Sequence, residues 1–520
     1  MILPLLYLLA EYSYQTSGGN ALKISKLINS RDTWKRKAKR RGSAIRGFQK
    51  TANAHKKRQA QDVRKIRGLE ADVAELRMAL DARGCAMESG SAIPYRTLCV
   101  LIVVCGIVSF RSVPRILQVF QPLLRTMVRI PHFTSVIHWT LRVGVAIFKQ
   151  VSTIKEPWVA IIDCSIDIGT RKALVVLRVP LSALGHKKGS IGPRACECIG
   201  LEISPTWNGP LVSDALTRIF EKAGIPSAIV KDGGSDLNKG VKLFCAKRPQ
   251  QIIYTVDDIG HFAANALKAL FAKSKSFIEF LKVTSTAAAR IRQTNLAWLL
   301  PPKLRAKGRF QGITAVAKWV HKILDHIGGK GNAGDNSDLS KARKIFAGLA
   351  TLRPFLDRFC HTCSHIELFL ELMKTHGLNE ITYIRAKDVL AKLPKRSLAR
   401  IRLSSWLEKH IHIHRALAIG QMPLLVSSDA IESLFGKFKT VIQRNPQAEL
   451  NRLIYVIPLL CGNHSYTDID NALKNCSHTE MLDQIEQTVP PTLRQQRTEK
   501  FANQSLSVPK SGIADGLHTG

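Results

Sequence analysis

Five short apolar runs between residues 158 and 256 constrain the fold more than any other feature of the sequence. Trp158–Asp163, Ala173–Val179 and Ala195–Ile203 follow one another without an intervening helical pattern. The fourth and fifth runs, Ala228–Lys231 and Gln251–Val256, alternate with helical patterns. Apolar runs between turn signals are typical of strands, and strand–helix alternation is typical of α/β sheets. The sequence therefore predicts a mixed five-stranded sheet with flanking helices, whose first three strands form an antiparallel meander.

A long helical segment interrupts this α/β pattern. From Lys273 to about Pro423 strand signals are weak and helical periodicity dominates. Because such a length is too great for a structureless loop inside a compact domain, we expect an inserted all-α domain. A helix opened by Ser427 and Ser428 follows, and we assign it to the same domain as the sheet.

The charge of the chain points to a polyanionic partner. It has 77 Lys+Arg and 39 Asp+Glu in 520 residues, a formal net charge of +38 at pH 7. With 45% hydrophobic residues the composition is globular, so the surplus does not indicate general disorder. A surplus of this size attracts nucleic acid first and an acidic membrane surface second.

Basic residues are concentrated near the N-terminus. Residues 22–80 have a helical pattern that begins with clustered Lys and Arg, and continues with an apolar stripe at Ile66, Leu69, Val73, Leu76 and Leu80. This predicts a solvated basic helix followed by a short coiled coil. The alternative is an arm on the DNA backbone with a dimerising stripe, because clustered cations displace phosphate counterions.

Two helical patterns separated by Pro122 and Pro131 lie between Ser109 and Gln150. The second begins near Thr134, a residue type that caps helix N-termini well. The pair resembles a helix-turn-helix, although any small helical subdomain gives the same pattern. Candidate groove-facing side chains are Ser135, His138, Trp139 and Arg142.

These patterns divide the chain into six regions. We predict a basic helical region over 1–90 and a helix-turn-helix-like DNA-binding domain over 91–150. The α/β domain comprises 151–272 and 425–489, separated by the helical insertion over 273–424. Residues 490–520 are predicted to be a flexible tail.

Carboxylates at predicted strand ends are the strongest candidates for catalytic chemistry. Asp163 ends the first run and Asp232 follows the fourth. Strand ends of an α/β sheet open onto a crevice, so these side chains can converge there. Glu432 is the best third acid for a magnesium site, because its helix aligns it with Asp429, Gly436 and Lys439 on one face. The alternative is that each acid merely caps or solvates its own element.

The pattern resembles the transposases and integrases that have an RNase H-like catalytic domain and an Asp-Asp-Glu triad, of the type found in bacterial insertion sequences. The matching segments are WVAIIDCSIDIG with Asp163, SAIVKDGGSDL with Asp232, YTVDDIGH, and SSDAIESLFGKFK with Glu432. They fall within Lys155–Phe271 and Ser427–Leu460.

Two further signatures of these enzymes match in part. Asp258 and His261 resemble an acid-x-x-His motif that follows the second Asp. Glu432 and Lys439 resemble the last two residues of a Tyr-Arg-Glu-Lys signature. Leu425 and Ser428 occupy its Tyr and Arg positions, so that signature is incomplete.

The resemblance implies Mg²⁺-dependent chemistry on DNA. Asp163, Asp232 and Glu432 would hold two Mg²⁺ or Mn²⁺ ions that act on a phosphodiester bond. Double-stranded DNA, as element ends and target, would be the partner, and joining two ends implies a homodimer or higher oligomer. The candidate DNA contacts are Lys439, Lys437, His261, Asp258, Arg142, His138 and Arg111.

Two alternatives to an active transposase stay open. One is a transposase-derived DNA-binding protein without catalytic activity. The other is an RNase H-like nuclease acting on RNA–DNA hybrids or branched DNA, which the same carboxylates permit.

Membrane insertion and secretion are not predicted. The longest strongly apolar run, Thr97–Phe110, is shorter than the ~18 to 20 residues that span a bilayer. The apolar start, Met1–Ala10, lacks the basic residues and cleavage site of a signal peptide. Eleven scattered cysteines fit a reducing cytoplasm, with nucleoid association if the protein is bacterial.

The sequence predicts neither zinc nor a nucleotide cofactor. Cys360 and Cys363 form a Cys-x-x-Cys pair with histidines nearby, but no second pair lies at finger spacing. The basic loop Gly185–Arg194 contains glycines but lacks the Walker order, and no helix follows it.

Overall fold

The computed structural model describes residues 29–35, 42, 59, 95–121, 130–164, 171–185, 191–304, 310–328, 337–443 and 451–506. The chain divides into two units, Met1–Ala92 and Ile93–Gly520. In the first unit residues 29–35 are helical, and Arg31 and Asp32 form an ion pair of 3.0 Å. The predicted coiled-coil stripe and most of the N-terminal basic cluster lie outside the described residues.

A mixed five-stranded sheet organises the second unit. Its strands are β1 (Trp158–Asp163), β2 (Lys172–Pro180), β3 (Glu197–Ser204), β4 (Ala228–Lys231) and β5 (Tyr254–Asp257). Their order across the sheet is β3-β2-β1-β4-β5. β1 and β3 both run antiparallel to β2, whereas β4 runs parallel to both β1 and β5. The predicted mixed sheet and its antiparallel meander are confirmed.

Helices precede the sheet and connect its strands. The preceding helices are α1 (Tyr95–Gly106), α2 (Ser112–Phe120) and α3 (Phe133–Lys149). The helices between and after the strands are α4 (Leu181–Gly185), α5 (Gly209–Ala223), α6 (Ser235–Ala246) and α7 (Ile259–Phe271). In the described part of the chain no helix combines the length and apolar character needed to cross a bilayer.

Helices make up most of the described part of the segment over 273–424. Its helices are α8 (Lys275–Ile291), α9 (Ile313–Gly328), α10 (Asp338–Ile345), α11 (Ala347–Ala350), α12 (Arg353–His376), α13 (Glu380–Ala391) and α14 (Leu398–Ala416). Phe277 and Phe359 from these helices share one apolar core with Val159 and Ile161 of β1. The helical segment therefore packs into the same core as one face of the sheet.

A series of helices follows this segment. They are α15 (Asp429–Val441), α16 (Val456–Leu460), α17 (Tyr466–Asn475), α18 (His478–Thr488) and α19 (Leu493–Leu506). The predicted flexible tail is thus helical over Leu493–Leu506. Its start is fixed by reciprocal bonds between Thr492 and Gln495, whose side chains each accept the other's backbone N–H, at 2.8 and 3.2 Å.

The sheet is buried on both faces, which explains its continuous apolar runs. Side chains alternate along a strand, so Val159 and Ile161 face the large core that includes the helical segment. Ala160 and Ile162 face a second core, formed with α5 and α6 around residues such as Phe220.

Helix α3 is an interior helix. It packs against α1, α2, α16, α17 and α18. A Cβ atom added at Gly144 would lie 1.8 Å from the Tyr455 carbonyl oxygen, so this close helix contact requires glycine. The helix-turn-helix interpretation expects an exposed recognition helix here, whereas the packing encloses this one on several sides.

Candidate active site

Asp163 and Asp232 lie at the same edge of the sheet. Asp163 is the last residue of β1, and Asp232 directly follows β4. These strands are parallel and Ile162 pairs with Lys231, so the next step places the two aspartates side by side. Burial raises the pKa of the adjacent Cys164 thiol, and the charges of Asp163 and Asp232 raise it further.

The turn after β4 orients the Asp232 carboxylate. The Gly234 backbone N–H donates to Asp232 Oδ1 at 2.9 Å. A Cβ atom at position 234 would lie 2.9 Å from that same oxygen, closer than such atoms normally approach. The glycine therefore permits the bond that holds the carboxylate at the start of α6.

Asp258 joins the end of β5 to the start of α15. Its side chain is buried and begins α7 by accepting the His261 N–H at 2.7 Å. Its other oxygen accepts the Ser428 N–H at 2.6 Å and the Ser428 hydroxyl at 2.9 Å. The Ile259 N–H also donates to the Val426 carbonyl at 3.0 Å. The chain thus returns from the helical segment onto the edge that carries the aspartates.

His261 and Glu432 face each other across this junction. His261 Nε2 lies 3.2 Å from Glu432 Oε1, and 51% of the Glu432 side chain is exposed. The hydrogen bond to Glu432 raises the pKa of His261 to about 9 despite desolvation, and the charges of Asp258 and Asp232 contribute. The same bond lowers the pKa of Glu432. Asp232, His261 and Glu432 therefore share one electrostatic neighbourhood.

The carboxylates offer suitable donors for magnesium but are not gathered around one point. Carboxylate oxygens are ligands that Mg²⁺ prefers. Over the described ranges, no three His, Cys, Asp or Glu side chains lie close enough together to hold a metal ion. Glu432 is bonded to His261 instead. Metal binding by all three acids would require Glu432 to leave His261.

Lys374 is a cation at this site that the sequence did not reveal. It comes from α12, and its Nζ lies 2.6 Å from Asp429 Oδ1 at the start of α15. Its charge also contributes to the lowered pKa of Glu432. The residues in contact are 55 positions apart, and no local motif marks the lysine.

A second unforeseen group surrounds Asp257, at the end of β5. The Asp257 carboxylate accepts bonds from Lys231 at 2.6 Å and from Lys409 at 2.8 Å. Its backbone N–H donates to His410 Nε2 at 3.0 Å, and its carbonyl accepts the Trp406 indole N–H at 3.0 Å. Helix α14 is therefore bonded directly to the strand end beside the site. In the sequence, the adjacent acids Asp257 and Asp258 were the feature that could have indicated this group.

Other predicted DNA contacts have diverse surroundings. The Arg142 guanidinium donates to the carbonyls of Leu473 and Cys476, and His138 Nδ1 lies 3.1 Å from His478 Nε2. These partners account for both side chains within the fold. Arg111 is exposed, with its guanidinium 5.0 Å from the centre of the Phe133 ring.

The two lysines of α15 point in different directions. Lys437 lies close enough to Cys461 for its charge to act on that buried thiol. Lys439 is seven residues after Glu432, which places both on the same helix face. Of the two, Lys439 is therefore the one aligned with the site.

Comparison with known proteins gives no family. No protein family model matches the chain, and no curated protein matches it. A solved structure that it resembles is the Drosophila P element transposase strand transfer complex, with 11% sequence identity and a TM-score of 0.38. The match covers 80% of this chain and 99% of that chain. Similarity of this degree does not assign an activity.

Proposed function

We propose that the protein is an Asp-Asp-Glu transposase that binds the ends of a mobile DNA element and catalyses metal-dependent cleavage and strand transfer. The observation that carries the proposal is the placement of Asp163 and Asp232 at adjacent parallel strand ends, with Glu432 brought to the same edge. Strand ends on an open α/β sheet are where ligands bind.

Each residue of the site has a role in this proposal. Asp163, Asp232 and Glu432 would hold Mg²⁺, which when bound activates a water or 3′-hydroxyl and stabilises the leaving oxygen. Without metal, the bond to His261 holds Glu432 at this edge, and the positive charges of His261 and Lys374 limit repulsion among the carboxylates. On metal binding, Glu432 would leave His261. Asp258 positions both the histidine and the Glu432 helix.

Charge supports DNA as the substrate. A net charge of +38 suits a polyanion. Terminal repeats and target DNA would both have to be bound, so we expect the active form to be a dimer or higher oligomer.

The test begins with the DNA that flanks the coding sequence. Terminal inverted repeats found there supply the substrate for a Mg²⁺-dependent cleavage assay. We expect Asp163→Asn, Asp232→Asn and Glu432→Gln each to lower cleavage on the order of 10³-fold or more while DNA binding is retained.

Asp236→Asn is the matched control, because this exposed acid lies in the first turn of α6 next to the site. It should cleave normally. Normal cleavage by Asp232→Asn would refute the assignment, and preferential cutting of an RNA–DNA hybrid would favour a nuclease instead.

A further inference from the structure

A cavity of about 780 Å³ lies among α1, α2 and the start of α3. We call it the aromatic–arginine pocket and define it by six of its lining residues: Tyr95, Arg111, Arg115, His132, Phe133 and Trp139. None of the carboxylates of the candidate active site lines it. The pocket therefore needs an explanation of its own.

The charge of the pocket selects an anion. Its described lining includes Arg111, Arg115 and His132 but no acid. Residues 89–155 of the sequence contain no Asp or Glu. Arg111 directly precedes α2 with helical backbone angles, and Arg115 lies in its first turns, so these two exposed residues, four apart, project from the same side. An anionic ligand would meet two guanidinium groups without competing carboxylates in the lining.

The aromatic side chains select a ligand with a flat face. Tyr95 is 43% exposed and meets Trp139 edge to face, with ring centres 5.5 Å apart. The Phe133 ring lies under the Arg111 guanidinium. Aromatic rings beside cationic groups are the combination on which unpaired bases stack while their phosphates are bound. The aromatic rings of the pocket match the base of a nucleotide, and its arginines match the phosphate.

The geometry favours an unpaired strand over a duplex. Within a duplex the faces of the bases are covered by their neighbours, so an aromatic pocket can take only a base that has left the stack. Helix α3 is enclosed by α1, α2, α16, α17 and α18, so it is not exposed as a groove-reading helix is. A concave pocket at its N-terminal end can still receive a single strand.

We infer that the aromatic–arginine pocket binds an unpaired nucleotide of single-stranded DNA. The base stacks against Tyr95 and Trp139, and the adjoining phosphates contact Arg111 and Arg115. This goes beyond the proposed function, because it assigns a site for unpaired strands that does not depend on the carboxylates.

The first test measures binding by fluorescence anisotropy, with the full chain in EDTA, labelled oligo(dT) and a duplex of equal length. Trp139→Ala should weaken oligo(dT) binding by roughly 5- to 100-fold and change duplex binding little. Trp298→Ala is the matched control, since that side chain is 65% exposed and outside the pocket. Unchanged oligo(dT) affinity in a folded Trp139→Ala variant would overturn the inference.

Because Trp139 is partly buried, a second variant tests the pocket without replacing a buried side chain. Arg111→Gln combined with Arg115→Gln changes only exposed side chains and should reduce the salt dependence of oligo(dT) binding by about 1.4 in log–log slope. Arg385→Gln with Arg402→Gln, also exposed, is its control. Equal losses of affinity for oligo(dT) and for the duplex would indicate general electrostatic attraction to the surface and would overturn the inference.

Photo-crosslinking locates the base directly. An oligonucleotide containing 5-iododeoxyuridine should crosslink to Tyr95 or Trp139, identified by mass spectrometry of the digested full chain. Crosslinks found only outside the pocket would overturn the assignment. Both measurements omit divalent metal, so loss of the proposed cleavage activity would leave them interpretable.

Discussion

At the residue scale, Asp258 holds the candidate site together. A buried carboxylate that accepts three hydrogen bonds from two segments costs much less than an unpaired buried charge. Its two partners, His261 and Ser428, lie at the starts of α7 and α15. One side chain thus sets the relative position of the histidine and of the helix that carries Glu432.

Replacement of Asp258 by Asn should therefore destabilise the fold. The new amide would direct N–H groups at the backbone N–H of either His261 or Ser428, and leave a buried donor unpaired. We expect a loss of about 2–4 kcal/mol in the free energy of unfolding, measured by urea titration. Asp388→Asn changes an exposed acid of α13 and should alter stability by less than about 0.5 kcal/mol. An equally small effect of Asp258→Asn would contradict this account.

Residues that follow a local rule could be predicted, and those defined by distant partners could not. Asp163 and Asp232 were predicted to lie together because they end apolar runs, and the structure places them at adjacent parallel strand ends. Lys374 has no such mark, since its role depends on Asp429 in another helix. The bond from Asp257 to His410 spans 153 positions and likewise follows only from tertiary packing.

At the element scale, α14 is bonded to the end of β5 by a buried neutral histidine. His410 Nδ1 donates to the Trp406 carbonyl at 2.6 Å while its Nε2 accepts the Asp257 N–H. Burial lowers the pKa of His410 to about 4. A protonated imidazole could not accept that bond, so the contact requires the neutral form.

This contact predicts acid sensitivity. The pKa of His410 is 6.5 when unperturbed and about 4 in the fold, so its contribution is complete above 6.5 and is lost as pH falls through 4. The free energy of unfolding should decrease by about 3 kcal/mol between these limits because of this group. Urea titrations across that pH range measure it.

Two variants separate His410 from other titrating groups. His410→Phe should be less stable at neutral pH but lose less stability on acidification. His412→Gln, an exposed position in the same helix, should keep the wild-type pH dependence. If His410→Phe keeps the wild-type pH dependence, then His410 is already protonated in the fold or takes up its proton as readily there as in the unfolded chain.

Whole elements were predicted where their periodicity is simple. The five strands were found because both faces of the sheet are buried and each strand is a continuous apolar run. The sequence predicted helix α3 but did not predict that other helices enclose it. Residues 143–147, VGVAI, are apolar around the whole helix circumference, a signal of an interior helix that the helix-turn-helix interpretation did not use.

At the scale of the whole molecule, positive charge should dominate binding to duplex DNA. Affinity for random-sequence duplex should fall linearly in log–log form with salt concentration. Replacing Arg36, Lys37 and Lys39 by Gln should reduce that slope by about 3 if the N-terminal cluster contacts phosphates. A solvated basic helix without DNA contact predicts no change. Fluorescence anisotropy in a salt series distinguishes these two interpretations.

A charge-matched variant makes the comparison specific. Lys392, Lys395 and Arg396 are exposed basic residues near the junction of α13 and α14, and their exchange for Gln removes the same net charge. A smaller change in slope is expected for this control. Equal changes in both variants would assign the effect to overall charge and not to an N-terminal contact.

The contacts of α12 and α14 with the edge that carries the candidate site have a consequence for inheritance. A copy of this coding sequence that loses α12 or α14 in frame would keep Asp163, Asp232 and Glu432. It would nevertheless lose Lys374 or the contacts that α14 makes with Asp257, and with them the alignment of the edge. Under the proposed function, genomic copies that lack α12 or α14 should therefore be inactive, so these two helices indicate a working copy as well as the three candidate carboxylates do.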